Sequence, residues 1–97
     1  MTHLYFIQQG YGAIKIGIAD DPESRLATLQ TGNAKPLRLL LAVPFDERRV
    51  AEQLERDLHA SLAKYRIRGE WFNRRALRSG KLKKVFKGTL KEPYADV

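Results

Sequence analysis

The order of apolar and polar side chains predicts a β-hairpin at the start of the chain. In residues 13–19, three isoleucines alternate with a lysine and a glycine, which is the pattern of a strand with one buried face. Residues 4–8 are rich in side chains that favour strands, and two glycines within residues 9–12 are typical of a tight turn. We therefore expect two antiparallel strands joined by that turn.

The middle of the chain predicts a helix, a strand and a longer helix. Residues 20–30 begin with two aspartates and a proline, which suit a first helical turn, and Gly32 is a candidate left-handed residue at the helix end. The nearly continuous apolar run in residues 37–45 predicts a buried central strand. In residues 46–65 apolar side chains recur every three or four positions, which predicts a long helix with one buried stripe.

The last third of the chain predicts smaller elements. Residues 66–72 are expected to leave the long helix, turn at a glycine and form a short edge strand. Residues 73–88 predict a helix interrupted by a glycine. We expect one domain over residues 1–88 and a tail over residues 89–97.

Composition narrows the classes of function. The 97 residues carry a formal net charge of +7, which favours an anionic partner, with nucleic acid ahead of a membrane surface. The chain has no cysteine and two histidines, which excludes thiol chemistry and a histidine-built zinc site but leaves a hard cation held by carboxylate and water. No apolar run approaches the roughly 18 residues of a membrane span, and the start lacks a signal-peptide pattern, so we expect a soluble, cytoplasmic protein.

One acidic residue interrupts a strongly basic segment. Between Lys64 and Lys91 the chain holds eleven lysines and arginines and a single acid, Glu70, which stands between a glycine and a tryptophan. A dense basic run of this kind favours contact with nucleic acid. A lone carboxylate within it is a candidate ligand for a divalent cation.

The order of these pieces resembles the GIY-YIG endonuclease superfamily, and more closely its small phage-related branch of DNA-binding domains. The resemblance rests on LYFIQ, IKIG, DPESRLATLQTGN, LERDLHASL and RGEWF, which together span residues 4–72. It implies an α+β, GIY-YIG-like fold, for which we expect a three-stranded antiparallel sheet flanked by three helices. It also implies a metal-dependent endonuclease that hydrolyses DNA phosphodiester bonds with Mg²⁺ or Mn²⁺.

The resemblance assigns roles to individual residues. Tyr5 corresponds to the tyrosine of the first motif, and Gly17 to the glycine of the second. Arg25 corresponds to the helix arginine that contacts phosphate, and Glu70 to the metal-binding glutamate. A tyrosine can orient or deprotonate water if nearby cations lower its pKa of roughly 10, and an arginine can stabilise charge that develops on phosphate oxygens.

The sequence also departs from the motifs of that superfamily. Lys15 stands where the second motif has a tyrosine, which removes a hydroxyl but supplies a candidate phosphate contact. The late asparagine of the superfamily has two candidates, Asn33 and Asn73. His59 lies one helical turn after Glu55 and is read in two ways: as a partly buried histidine oriented by Glu55, or as a general base that replaces the missing tyrosine.

We expect the remaining DNA contacts to come from basic side chains near the lone acid. The predicted DNA-binding residues are Lys15, Gly17, Asn33, Arg68, Asn73, Arg74 and Arg75. Two other functions stay open: a DNA-binding module of the same fold with a weak or inactive site, and an RNA- or protein-binding adaptor that uses the basic C-terminal helix. The oligomeric state is left open, with a homodimer or a targeting partner as sources of specificity.

Overall fold

A computed structural model describes residues 1–87 and shows an α+β fold in which one antiparallel sheet carries helices on both faces. The strands are β1 (Thr2–Gln9), β2 (Ile14–Ala19), β3 (Leu37–Phe45), β4 (Arg66–Arg68) and β5 (Trp71–Phe72). The helices are α1 (Pro22–Thr31), α2 (Arg48–Ser61) and α3 (Gly80–Phe86), with short 3-10 turns at Ala63–Tyr65 and Arg74–Arg78. The tail predicted at residues 89–97 lies outside the described part of the chain.

The sheet has five strands in the order β3-β1-β2-β5-β4, so the prediction of three strands is wrong. The hairpin of β1 and β2 forms as predicted, with Tyr5 opposite Gly17. The segment predicted as one edge strand is instead a pair, β4 and β5, that turns at Gly69 with a φ of +53°. Strands of three and two residues are too short to show an alternating pattern, and they form through backbone pairing of β5 with β2 and of β4 with β5.

Strand β3 lies at one edge of the sheet, which corrects its prediction as a central strand. It pairs only with β1 among the described strands, and a bulge shifts their register between Phe6 and Ile7. The apolar run in β3 arises because helices cover both faces of the sheet. An edge strand under such cover can be as apolar as a central one.

Two apolar clusters lie on opposite faces of the sheet. The larger joins Leu4, Phe6, Ile14 and Ile16 to the buried stripes of α2 and α3, where Val50, Leu54, Leu58, Leu62, Leu82 and Val85 are at most 4% exposed. The smaller cluster contains Tyr5, Ile7 and Leu37, and side chains of α1 pack against it. Alternate residues of β1 therefore point to different helices, which places Tyr5 on the side of α1.

The helix ends show which start and stop signals the chain uses. Asp21 caps α1 and accepts a hydrogen bond from the backbone of Ser24 at 3.1 Å. Gly32 follows α1 with a φ of −98°, so its prediction as a left-handed residue is wrong. Ser79 caps α3, and the glycine predicted to interrupt the last helix, Gly80, instead begins it.

Within residues 1–87, no helix combines the length and the apolar character needed to cross a bilayer.

Candidate active site

The predicted metal ligand, Glu70, lies beside the middle of β2. Strand β5 pairs with β2 through Ile14 and Lys15, and the backbone carbonyl of Glu70 accepts one further bond from Ile16 N at 3.0 Å. The turn at Gly69 requires a left-handed backbone, which glycine adopts without strain. The β4–β5 hairpin therefore fixes the position of the Glu70 backbone against β2.

Tyr5 and Glu70 both approach Gly17 closely. A Cβ at Gly17 would lie 2.6 Å from the Tyr5 hydroxyl oxygen, 2.8 Å from Tyr5 Cζ and 3.0 Å from Glu70 Oε1. Real side chains do not tolerate contacts as short as the first two, so glycine is required unless Tyr5 moves. The second motif glycine thus makes room for a hydroxyl and a carboxylate at one point of the sheet surface.

Lys15 forms an ion pair with Glu70. The distance from Lys15 Nζ to Glu70 Oε1 is 3.0 Å, and the Lys15 side chain is 10% exposed against 41% for Glu70. The same Nζ lies 5.5 Å from the centre of the Trp71 ring, which is a cation–π contact. Lys15 is therefore a mostly buried counter-charge that orients Glu70, in addition to its predicted role as a phosphate contact.

Tyr5 and Arg25 are joined by a hydrogen bond between their side chains. Burial raises the pKa of the Tyr5 hydroxyl, and the carboxylates of Glu70 and Glu55 raise it further, against the lowering effect of Arg25. The nearby cation Arg25 does lower the pKa of Tyr5, but burial outweighs it, so the condition for Tyr5 to deprotonate water is not met. Tyr5 keeps its proton at neutral pH, so its oxygen accepts from the Arg25 guanidinium and its O–H stays available to donate.

Arg25 itself is on the exposed side of α1 and contributes a cation next to this buried hydroxyl. Its backbone amide bonds Asp21 as part of the helix, but its guanidinium forms no ion pair with another residue in 1–87. The charge of Arg25 is thus available to an incoming anion.

Glu55 is a member of the site that sequence reasoning did not assign to it. Burial, the charge of Glu70 and a hydrogen bond with Glu70 together raise the pKa of Glu55 from 4.5 to about 7. Two carboxyl groups that share a site hold one proton between them more readily than either alone. The only signal in the sequence is the position of Glu55 beside the buried stripe of α2, between Leu54 and Leu58.

His59 lies on α2, one turn after Glu55, and contacts the same part of β2 as Glu70 does. Its Nε2 donates a hydrogen bond to the backbone carbonyl of Ile16 at 2.9 Å, since a carbonyl oxygen can only accept. Its ring centre is 5.0 Å from that of Phe72. The ring is therefore oriented by Ile16 rather than by Glu55, and the role of His59 as a general base stays a prediction.

The other predicted DNA contacts lie away from Tyr5 and Glu70. Asn33 accepts bonds from Gln9 Nε2 and Lys35 N at 3.0 and 3.1 Å, which closes the loop after α1. Asn73 accepts from Arg75 N at 2.9 Å and so caps a 3-10 turn. These two asparagines hold local structure and make no described contact with the candidate active site.

Of the predicted arginines, Arg74 and Arg75 are apart from Glu70, whereas Arg68 lies across the Gly69 turn from it. Arg74 Nη1 donates to the carbonyl of Tyr11, at the tip of the β1–β2 hairpin, at 3.3 Å. Arg75 lines grooves at that same end of the molecule. Arg68 is exposed on β4, where it lies opposite Trp71 in the register.

The donor set near Gly17 fits a hydrated divalent cation. Glu70 offers carboxylate oxygens on a side chain that is 41% exposed, and among residues 1–87 no three histidine or acidic side chains gather into a fuller metal-binding group. Magnesium commonly binds through one or two carboxylates and keeps several waters. This carboxylate therefore suits an ion whose remaining ligands are water and phosphate oxygens.

Comparison with known proteins identifies the family. The model of the T5orf172 domain matches residues 2–89, which is most of the chain. No curated protein and no solved structure matches the sequence. The β1–β2 hairpin, Gly17 and the turn before Glu70 all lie inside the matched region. The chain therefore belongs to the T5orf172 domain family.

Proposed function

We propose that this protein is a small DNA endonuclease of the GIY-YIG type that hydrolyses phosphodiester bonds with a divalent cation. The T5orf172 family is associated in general with DNA binding and nucleases, which supports the substrate class. The observation that carries the proposal is the approach of the Tyr5 hydroxyl and Glu70 Oε1 to the same point at Gly17. This arrangement suits a phosphodiester, because it brings a hydroxyl, a carboxylate and an arginine together on a basic protein.

Phosphodiester hydrolysis needs charge stabilisation and two proton movements. The oxygen of water bonds to phosphorus, the bond to one sugar oxygen breaks, the attacking water loses a proton to a base, and the departing oxygen takes one from solvent. Arg25 stabilises the negative charge that grows on the phosphate oxygens. Glu70 would hold the divalent cation, which when bound neutralises phosphate charge and polarises water.

The pKa values of the site residues indicate which of them donates a hydrogen bond and which accepts a proton. Tyr5 keeps its proton, so it donates a hydrogen bond that orients the water or a phosphate oxygen. Glu55, with a pKa of about 7, is suited to accept the proton of the attacking water once its own has left. Lys15 fixes Glu70 through their 3.0 Å ion pair and adds positive charge near the phosphate.

The test is nicking of supercoiled plasmid by the purified protein in Mg²⁺, in Mn²⁺ and in EDTA, beside Glu70→Gln. We expect nicking that requires the metal and is abolished in the variant. Glu47→Gln is the matched control, because the exposed Glu47 carboxylate pairs with Arg49 at 2.8 Å and is not part of this site. Nicking that survives in Glu70→Gln would overturn the assignment.

A second function is favoured by one specific observation. The Lys15 ammonium already contacts Glu70 Oε1, so the carboxylate is partly neutralised by the chain itself. A DNA-binding module without catalysis would keep this pair as part of a phosphate-binding surface. If neither wild type nor Glu70→Gln nicks plasmid or branched DNA, and both bind DNA equally, this second function is the correct one.

A further inference from the structure

The tip of the β1–β2 hairpin and the segment after β5 form an open basic surface, which we call the hairpin-end surface. It consists of Tyr11, Arg38, Arg74, Arg75 and Arg78, which line adjoining grooves. Arg38 lies opposite Gln8 in the register of β1 and β3, and Gln8 is two residues from Phe6. The surface therefore belongs to the face of the sheet opposite that of Tyr5, and to the other end of β2 from Gly17.

At the hairpin-end surface, the exposed ring of Tyr11 packs against the guanidinium of Arg38. The Tyr11 side chain is 81% exposed, and the Arg38 guanidinium carbon lies 5.6 Å from the centre of its ring. Arg38 Nη2 donates to Gln8 Oε1 at 2.9 Å, and Gln8 Nε2 donates to Gly12 O at 3.1 Å. Because Gln8 is only 6% exposed, a buried amide fixes both the arginine and the turn that carries Tyr11.

The remaining arginines surround this tyrosine without acidic partners. Arg74 Nη1 bonds the Tyr11 carbonyl at 3.3 Å, and Arg75 and Arg78 line the same grooves. Among the described residues, none of the four arginines of the surface forms an ion pair, and no acidic side chain lines these three grooves. Uncompensated guanidinium groups spread over several grooves suit an extended polyanion better than a single small anion.

The exposed ring decides which kind of polyanion fits. A base can stack on a tyrosine only if its own face is free, which is true in an unpaired strand and not inside a duplex. An arginine against the inner side of the ring leaves the outer side for that base and strengthens the stack through cation–π attraction. Ring and guanidinium groups together therefore recognise a base and its neighbouring phosphates.

We propose that the hairpin-end surface binds an unpaired nucleic-acid strand, with one base stacked on Tyr11 and the flanking phosphates held by Arg74, Arg75 and Arg78. Binding here needs no divalent cation and does not depend on whether the Glu70 site cuts. The same chemistry accommodates single-stranded DNA and RNA, so the two are compared directly in the test.

The test measures fluorescence anisotropy of labelled oligothymidylate and oligouridylate of about 12 nucleotides, and of a duplex, with the full chain in EDTA. We expect Tyr11→Ala to weaken binding of the unpaired strand by about 10-fold or more, and binding of the duplex by much less. Tyr11→Phe keeps the ring and should retain affinity. The tighter of the two oligonucleotides identifies the sugar of the bound strand.

Two further variants test the phosphate contacts and control for the general effect of losing positive charge. Arg75→Ala with Arg78→Ala should weaken binding and flatten its salt dependence, by a slope of about 0.7 for each phosphate that the variant no longer neutralises. Arg56→Ala is the matched control for charge, because this exposed arginine of α2 donates to Gln53 at 2.9 Å and is not part of the hairpin-end surface. Far-ultraviolet circular dichroism of each variant checks that the fold is kept.

Three outcomes would overturn the proposal. Tyr11→Ala that binds as well as Arg56→Ala would exclude base stacking. An equal weakening for duplex and unpaired strand would show a surface for duplex backbone. Displacement of the oligonucleotide by polyglutamate at equal charge would indicate an acidic protein partner. A failure of nicking alone bears on Glu70, not on this surface, and Glu70→Gln should bind the unpaired strand normally.

Discussion

The two ends of β2 use positive charge in different ways. Near Gly17, charges of both signs are packed together, and each group is fixed by another: Lys15 by Glu70, Glu70 by Glu55 and Tyr5 by Arg25. At the hairpin-end surface the charges are of one sign, and Tyr11 is 81% exposed. Balanced charge in a crowded site suits chemistry on one bond, whereas unbalanced charge in open grooves suits affinity for a polymer. If the proposed cutting at Gly17 and the proposed binding at the hairpin-end surface are both correct, single substitutions should affect one without the other.

The largest expected effect follows from removal of Arg25. Arg25→Ala should lower the nicking rate by ~10²–10³-fold, which is typical of removing one group that stabilises charge in the transition state. Binding of an unpaired strand in EDTA should stay within about twofold of wild type, because Arg25 is not part of the hairpin-end surface. Single-turnover nicking and anisotropy measure the two quantities.

Arg56→Ala again serves as the matched control for the removal of one arginine. If Arg25→Ala lowered strand binding as strongly as it lowered nicking, the two ends of β2 would form one continuous binding site, and cutting and holding would not be separable.

A smaller effect is expected from adding a methyl group at each end of β2. In Gly17→Ala the new Cβ would meet the Tyr5 hydroxyl at 2.6 Å, so we expect the free energy of unfolding to fall by about 1–3 kcal/mol. In Gly12→Ala the nearest atom is Gln9 O at 3.4 Å, an ordinary contact, so the decrease should be much less. Urea denaturation of both variants measures the difference.

The same two variants test whether Tyr5 is tightly packed against Gly17. Equal decreases of stability in Gly17→Ala and Gly12→Ala would mean that Tyr5 moves aside at little cost, and that the position of its hydroxyl is not fixed by packing.

The smallest expected effect is a dependence of folding stability on pH, which should arise only from the Gly17 end of β2. Because the pKa of Glu55 rises from 4.5 to about 7 on folding, the folded protein holds more protons than the unfolded chain between those values. The stability contributed by protonated Glu55 is present below about pH 4.5 and is lost as the pH rises through about 7. Urea denaturation in EDTA from pH 5 to 8 should show this decline for wild type and a flatter profile for Glu55→Gln.

Binding at the hairpin-end surface should show no such dependence, since its cations are arginines that stay charged throughout this range. A decline of stability that is unchanged in Glu55→Gln would place the titrating group elsewhere and would remove the support for a shared proton with Glu70.

Local patterns predicted the parts of the fold that depend on local interactions. The alternating isoleucines gave the correct β1–β2 hairpin, and the stripe from Val50 to Leu62 gave α2, because each reports directly which face is buried. The edge position of β3 and the pairing of β4 with β5 depend on contacts with other elements. The sequences of these segments alone therefore do not predict them.

The candidate site divides in the same way. The resemblance to known motifs directed attention to Tyr5, Gly17 and Glu70, and these do lie together. The contact of Glu55 with Glu70 could not be predicted, because it joins α2 to a turn whose position follows from strand pairing. Arg74 and Asn73 are near Glu70 in sequence but lie at the other end of β2, because β5 leads the chain away from the turn.

The single backbone bond between Glu70 O and Ile16 N has a consequence for how this domain tolerates insertions and deletions. Side chains alternate between the two faces of a sheet, so a shift of one residue in β5 would carry this carboxylate to the other face, away from Tyr5. Loops elsewhere, such as residues 32–36 after α1, can change length without moving it. Length variation in T5orf172 domains that keep the site should therefore accumulate in such loops, while the two-residue connection at 69–70 keeps its length.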